Sequence, residues 1–396
     1  MQWLAQTAAI VALNVRTIPA RLSSSAVAIV GIAGVVVVFV SVLSIDAGFS
    51  AAMAGSGSPG RAIVLRSGAD TELTSGLEGI DVDVIKQAPG IRRDGSRAIA
   101  SADVYVIIDL PKKTTPDSAA NVPLRGIEPT GLSARQEVSI VAGRMFRFGT
   151  DEVIVGRAAS GQFVNTAVGD TIVSGRNRWQ VVGHFEADGG VAETEIWTDA
   201  RTLQSVYRRG NTFQSVLAQL DSSESFDSFR DWLTANPQIN VAIRRESEYY
   251  AAQSVAMSQL IQSIGVAIAT LMGIGAVFGA ILTMYTAVAT RAREIATLRA
   301  LGFNTMSVLV SVLAESLALG AIGGVVGGVA AYVAFNGYQT STMNFQTFTQ
   351  VAFAFRVTPG LLAMGFSYAL AIGLVGGLLP ALRAARLPIS SALREL

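Results

Sequence analysis

The sequence predicts an α-helical membrane protein with four transmembrane helices and a large α+β extracytoplasmic domain inserted between helices 1 and 2. Three observations carry that fold class. Hydrophobic residues make up 51% of the 396-residue chain and charged residues only 15%, a balance too apolar for an ordinary soluble globule. Four apolar runs reach the roughly 20 residues that a spanning helix requires: one within 21–47, then about 261–286, 306–335 and 361–382. Between the first and second runs, residues 48–255 contain no run of that length.

Taken in order, residues 1–20 place Trp3, Leu4, Ile10, Val11, Val15 and Ile18 at near-helical spacing among polar residues, the pattern of an interfacial helix. Pro19 separates it from the first span. That span is too long for the apolar region of a secretory signal, so it reads as uncleaved. After Asp46, the turn-forming Gly55-Ser-Gly-Ser-Pro-Gly60 opens the extracytoplasmic domain. Short β-branched runs follow around Val64 and Val106, at Glu152 to Gly156, at Trp179 to Gly183 and at Val241 to Arg244, and each reads as a strand. Phe226, Phe229, Trp232 and Leu233 recur at helical spacing before Pro237. Residues 256–396 hold the remaining three spans.

The chain is oriented by R-A-R-E-I-A-T-L-R-A-L-G-F, Arg291 to Phe303. Arg291, Arg293 and Arg299 crowd a short connection between two spans, where the positive-inside rule has force, so the expectation is a cytoplasmic elbow. Both termini then lie inside, with Arg16 and Arg21 before the first span and Arg383, Arg386 and Arg394 after the last. The connection 336–359, whose one cation is Arg356, lies outside. Within about 289–301 a short amphipathic helix is predicted, with Ile295, Leu298 and Leu301 on one face and Arg291, Glu294 and Arg299 turned elsewhere. Gly302 stops it. An amphipathic helix outside the bilayer has an apolar face to cover, so a soluble partner is expected there.

Inside the third span Gly320, Gly324 and Gly328 are spaced for close helix contact, and Gly373 with Gly377 repeats the pattern in the fourth. Packing within one subunit is favoured over a dimer seam. Glu315, about nine residues into the third span, is an ionisable group in an apolar run; it pairs with an elbow arginine or meets interfacial water, the pairing being favoured, and is assigned a structural or coupling role.

Several chemistries are excluded. There is no cysteine and His184 is the one histidine, so neither a multi-histidine metal site nor a histidine-paired triad with cysteine can be assembled, and no metal site is expected. Asp81 with Asp83 and Glu193 with Glu195 read as solvated carboxylates without a catalytic role. The net charge of +1, with arginines spread along the chain, gives no footprint for nucleic acid. The three lysines, Lys86, Lys112 and Lys113, lie outside any G-x-x-x-x-G-K-[ST] phosphate loop, so no cofactor is expected in this chain.

The elbow, the basic tail L-P-A-L-R-A-A-R-L-P-I-S-S-A-L-R at Leu379 to Arg394, and A-G-R-M-F, E-V-I-V-G, V-G-D-T-I and W-Q-V-V-G in the domain stand in one order. Together they resemble the FtsX/MacB-like, mechanotransmission-type permease family of ABC transporters. The resemblance implies a permease subunit of the inner membrane that dimerises with itself or a similar chain, without a fused ATPase. ATP and Mg would sit on a separate ABC ATPase subunit, docked on a coupling helix formed by Arg291, Arg293, Glu294, Ile295, Leu298, Arg299 and Leu301. It further implies export or extraction of a lipid-linked, lipoprotein, peptide or amphiphilic substrate, with a periplasmic adaptor as an optional partner. The alternative is a non-transport transmembrane signalling protein that regulates a cell-wall hydrolase or senses a ligand.

Overall fold

A computed structural model describes residues 22–344, 347 and 349–386. The interfacial helix expected over 1–20, Arg21, and the basic tail beyond Arg386, including Arg394, lie outside the described residues. The described residues divide into two compact units, 22–47, 259–338 and 355–386 in one and those of 48–258 and 339–354 in the other.

Among the described residues four helices are long and apolar enough to cross a membrane: α1 (Leu22–Gly55), α7 (Glu246–Thr290), α9 (Thr305–Phe335) and α10 (Pro359–Arg386). Two of them exceed the apolar runs seen in the sequence. Helix α1 continues to Gly55 instead of ending near Asp46, and α7 begins at Glu246, well before Ile261. Hydropathy marks only the part of a helix fit for lipid; the backbone hydrogen-bond ladder continues wherever the residues tolerate it.

In the helical unit, glycines set the distances between helices. A Cβ on Gly320 or Gly324 would press into Ala369 on α10, and one on Gly373 or Gly377 would press into Ser316 on α9. Gly328 has only Leu362 nearby, at an ordinary van der Waals distance. On the adjoining face of α9, Gly323 and Gly327 meet Ile32, Ala33 and Val36 of α1. Ser316 Oγ donates to Gly373 O at 2.6 Å, satisfying a hydroxyl within the tight α9–α10 pair. The glycine stripes therefore make contacts within a single chain.

The second unit is built on a ten-stranded mixed sheet. Its strands are β1 (Arg61–Arg66), β5 (Ala100–Pro111), β6 (Ala119–Ile127), β7 (Ser139–Gly143), β8 (Glu152–Gly156), β9 (Thr171–Ser174), β10 (Asn177–Glu186), β11 (Ile196–Asp199), β13 (Ser215–Gln219) and β14 (Val241–Arg245). The main path runs β14-β1-β13-β5-β6-β11-β8-β10-β7, with β9 beside β10. Short pairs β2 (Leu77–Glu78) with β12 (Thr212–Phe213), and β3 (Arg93–Asp94) with β4 (Arg97–Ala98), lie apart from it. Strand β5 joins the two halves of the sheet. Its first residues, Ala100 to Asp103, pair with β13, and Val104 to Pro111 pair with β6, so one continuous strand belongs to both halves of the sheet.

Helices α2 (Gly79–Gln87), α3 (Gly131–Ala134), α4 (Arg157–Gln162), α5 (Ala200–Val206) and α6 (Ser225–Ala235) complete the α+β unit. Their starts are locally encoded: Glu78 and Asp81 form a capping box on α2, and the Asp199 carboxylate accepts from Thr202 N at 3.1 Å on α5. On α6, Phe226, Phe229 and Leu233 enter the core. Trp232 does not; it is 39% exposed, because its position turns it off the buried stripe. The connection 336–359 is also more than a loop. It contains the hairpin β15 (Gln339–Asn344) and β16 (Thr349–Ala354), which belongs to the sheet-containing unit, where Phe353 stacks edge-on against Phe49 at 5.6 Å.

Candidate functional site

The elbow residues gather where α7 ends, a short helix α8 (Ala292–Ala300) follows, and α9 begins. Residues 289 and 290 belong to α7, so α8 is shorter than the sequence pattern suggested, and Arg291 forms the break with φ −107° and ψ 13°. At its far end Gly302 takes φ 94°, a conformation that costs glycine little. Gly302 N then reaches Arg299 O and Phe303 N reaches Leu298 O, the paired bonds of a Schellman stop. Asn304 caps α9 through a side-chain bond from Met306 N.

Two residues assigned to a docking face are instead used by the chain itself. Ile295 is 8% exposed and packs with Ala28, Met284, Val288, Val308 and Val312. Arg291 is 6% exposed, and its Nη1 donates to Glu315 Oε2 at 2.8 Å. Glu315 is equally buried. A charge taken out of water needs a partner, and this pair supplies one at hydrogen-bond distance while tying the break before α8 to the third turn of α9. The outer side of the elbow carries Arg293 and Glu294, both exposed, with Leu298 and Arg299 half-buried. Leu301, placed by periodicity with the covered residues, is 73% exposed because it lies in the helix-terminating turn. Between the elbow and the helix ends is a cavity of about 340 Å³.

Sequence reasoning overlooked a second charged centre, inside the sheet domain. Arg125 on β6 directs all five of its N–H groups at carboxylates: Nε and Nη2 at Glu195, Nη1 and Nη2 at Glu72, and Nη1 at Asp103. Arg135 also donates to Asp103, and Trp197 Nε1 donates to Glu195 Oε2 at 2.7 Å. Burial would raise Glu72, but the charge and hydrogen bonds of Arg125 outweigh it and hold the carboxyl below its ordinary range. Glu195 is thus no solvated carboxylate. Neither is Glu193, which is buried and accepts from Ala187 N and Gly189 N. These partners lie far apart in sequence, so no spacing signals them. The centre joins the short turn at Glu72 to β5, β6 and β11, which is a structural role within the sheet domain. Among the described residues no group of His, Cys, Asp and Glu could hold a metal ion. His184 lies within β10 and its Nε2 is 2.7 Å from Thr166 O, a position internal to the fold.

Four spanning helices, a large inserted α+β domain and a charged short helix between the second and third spans define a polytopic permease-type membrane protein. Residues 25–236 match the sequence model of the MacB-like periplasmic core domain, and residues 266–389 match that of the FtsX-like permease C-terminal region. The first match alone covers more than half of the chain, which belongs to the FtsX/MacB-like permease family of ABC transporters. Two solved structures are similar to it. One is the extracellular domain of the noncanonic ABC-type transporter YknZ from Gram-positive bacteria, 15% identical over 46% of this chain and 98% of that one, with a TM-score of 0.35. The other is the periplasmic region of MacB from Actinobacillus actinomycetemcomitans, 13% identical over 52% of this chain and 94% of that one, also at 0.35. No curated protein sequence matches the chain. The protein is accordingly an ABC transporter permease component with a large extracytoplasmic domain.

Proposed function

We propose that α8 is the coupling helix on which a separate ABC ATPase subunit, carrying ATP and Mg, docks. Hydrolysis there drives a conformational change in the extracytoplasmic domain of a permease dimer that exports or extracts a lipid-linked, lipoprotein, peptide or amphiphilic substrate. The observation that carries this reading is the division of labour on α8: Arg291 and Ile295 fasten it to its own bundle, while Arg293, Glu294 and Leu301 face outward. An anchored helix with outward charges and an exposed leucine suits a specific, partly polar interface, and it passes on a push because it cannot swing independently.

The test is a set of substitutions on the outward side. Leu301→Asp and the reversals Arg293→Glu and Glu294→Arg are expected to weaken copurification of the ATPase and lower substrate-stimulated ATP hydrolysis, with membrane insertion unchanged. Leu298→Asp acts more strongly, because a carboxylate on the half-buried position must be desolvated without a partner. Full stimulated hydrolysis in all four variants at normal abundance would reduce α8 to a topological turn.

A further inference from the structure

We propose that the cavity beside the elbow binds one acyl chain of an anionic phospholipid, with the headgroup held by arginines at the same end of the helical bundle. The inference needs only that the elbow lies at a membrane face, which follows from α7 and α9 being spans; it does not require ATPase docking, although Arg293, Leu298 and Arg299 are shared with the proposed docking helix.

The cavity volume of about 340 Å³ falls at the lower end of the range typical of small-ligand sites. Its wall is chiefly aliphatic, with Met284 and Val288 from α7, Leu298 from α8, and Val308 and Val312 from α9. Three charged residues line it: Arg291 and Glu315 compensate one another at 2.8 Å, and Glu294 is exposed on α8, so an alkyl chain along the aliphatic wall would not have to bury an unbalanced ion. Bilayer chains are also neighbours of this site. Helix α7 turns Leu271, Ile274, Phe278 and Leu282 outward, and its last turns form one side of the cavity.

The headgroup preference comes from charge. Helix α8 carries Arg293 and Arg299, and the end of α10 carries Arg383 and Arg386, against the single carboxylate Glu294 on those two elements. Ala381 and Ala384 of α10 pack in the same apolar cluster as Met284 and Val288, which brings the basic end of α10 to the cavity's end of the bundle. Arg383 stacks over Tyr285, one residue beyond Met284, with its guanidinium 5.3 Å from the ring centre. A basic site between helix ends at a membrane face is the arrangement that selects anionic lipid.

The experiment reconstitutes the full chain, without any ATPase, in nanodiscs of phosphatidylcholine containing phosphatidylglycerol with a photoreactive acyl chain, and maps the adducts. Adducts are expected on Met284, Val308 and Val312, displaced by unlabelled phosphatidylglycerol and poorly by phosphatidylcholine. Arg383→Gln and Arg386→Gln should each lower the preference for the anionic lipid about fivefold, the effect of one cation beside an anionic headgroup. Val312→Trp should fill the cavity and remove its adducts while those on Phe278 and Leu282 persist, and Ser311→Leu serves if the tryptophan variant does not fold. Adducts confined to the outward residues, or equal displacement by both lipids, would overturn the proposal. Because no ATPase is present, failure here leaves the docking of α8 to be judged separately.

Discussion

Arg291 and Glu315, 24 residues apart in sequence, meet at 2.8 Å with both side chains almost fully buried. One sits at the break between α7 and α8 and the other within α9, so the pair fixes the elbow to the helix that follows it. Removing one partner deprives the other buried charge of this contact, and the loss in comparable buried pairs is on the order of 3–5 kcal/mol. Arg291→Met and Glu315→Leu should each lower thermal stability in detergent, while the double variant recovers much of the loss. Additive losses in the double-mutant cycle would show that the two charges do not interact.

The α9–α10 contact should respond to volume. Gly324→Leu forces a side chain into Ala369 and Phe366, and overpacking of this kind costs about 1–3 kcal/mol. Gly275→Leu on α7, where no atom lies within 4 Å of the added Cβ, is the control and should leave the melting temperature of the isolated chain nearly unchanged. Equal losses at the two sites would contradict the packing.

Acid should loosen the sheet domain. Arg125 holds Glu72 below the ordinary carboxylate range against burial, and Arg61 does the same for Glu137. The hydrogen bond from Arg144 brings Glu152 down to about 2. A carboxylate whose folded pKa is depressed stabilises the fold above its unfolded value and loses that contribution as pH falls through the folded one. Thermal unfolding followed from neutral pH downward should therefore show stability falling once pH drops below the ordinary carboxylate range. Arg125→Met should weaken the domain at neutral pH and flatten that dependence; an unchanged acid profile would mean that Arg125 does not set the ionisation of Glu72.

Orientation is open to direct labelling, since the native chain has no cysteine. Single cysteines at Ser58, Asn304 and Thr340 should react with impermeant reagent from outside, inside and outside the cell respectively, following the arginine asymmetry. Reaction at Asn304 from outside would reverse the assignment.

The isolated chain is expected neither to hydrolyse ATP nor to bind it tightly, because it has no lysine in a phosphate loop. Saturable hydrolysis that survives removal of every copurifying ATPase would contradict this.

Four spanning helices and an inserted α+β domain were legible in the sequence because their causes are local. Apolar run length reports what lipid will accept, alternation of side chains reports a strand with one covered face, and Gly302 after Leu301 reports a helix stop. Arg291 to Phe303 stood out for the same reason, as charge concentrated between two apolar runs. What the elbow residues touch was not local. Periodicity grouped Ile295 with Leu301, yet α7 and α9 cover the first and the terminating turn exposes the second. Only the fold decided that Arg291 turns inward to Glu315, that β5 pairs with both β13 and β6, and that Arg125 gathers Glu72, Asp103 and Glu195. Those partners come together through chain crossings of tens of residues, and a buried charge is assigned its partner by three-dimensional proximity, which sequence spacing does not encode.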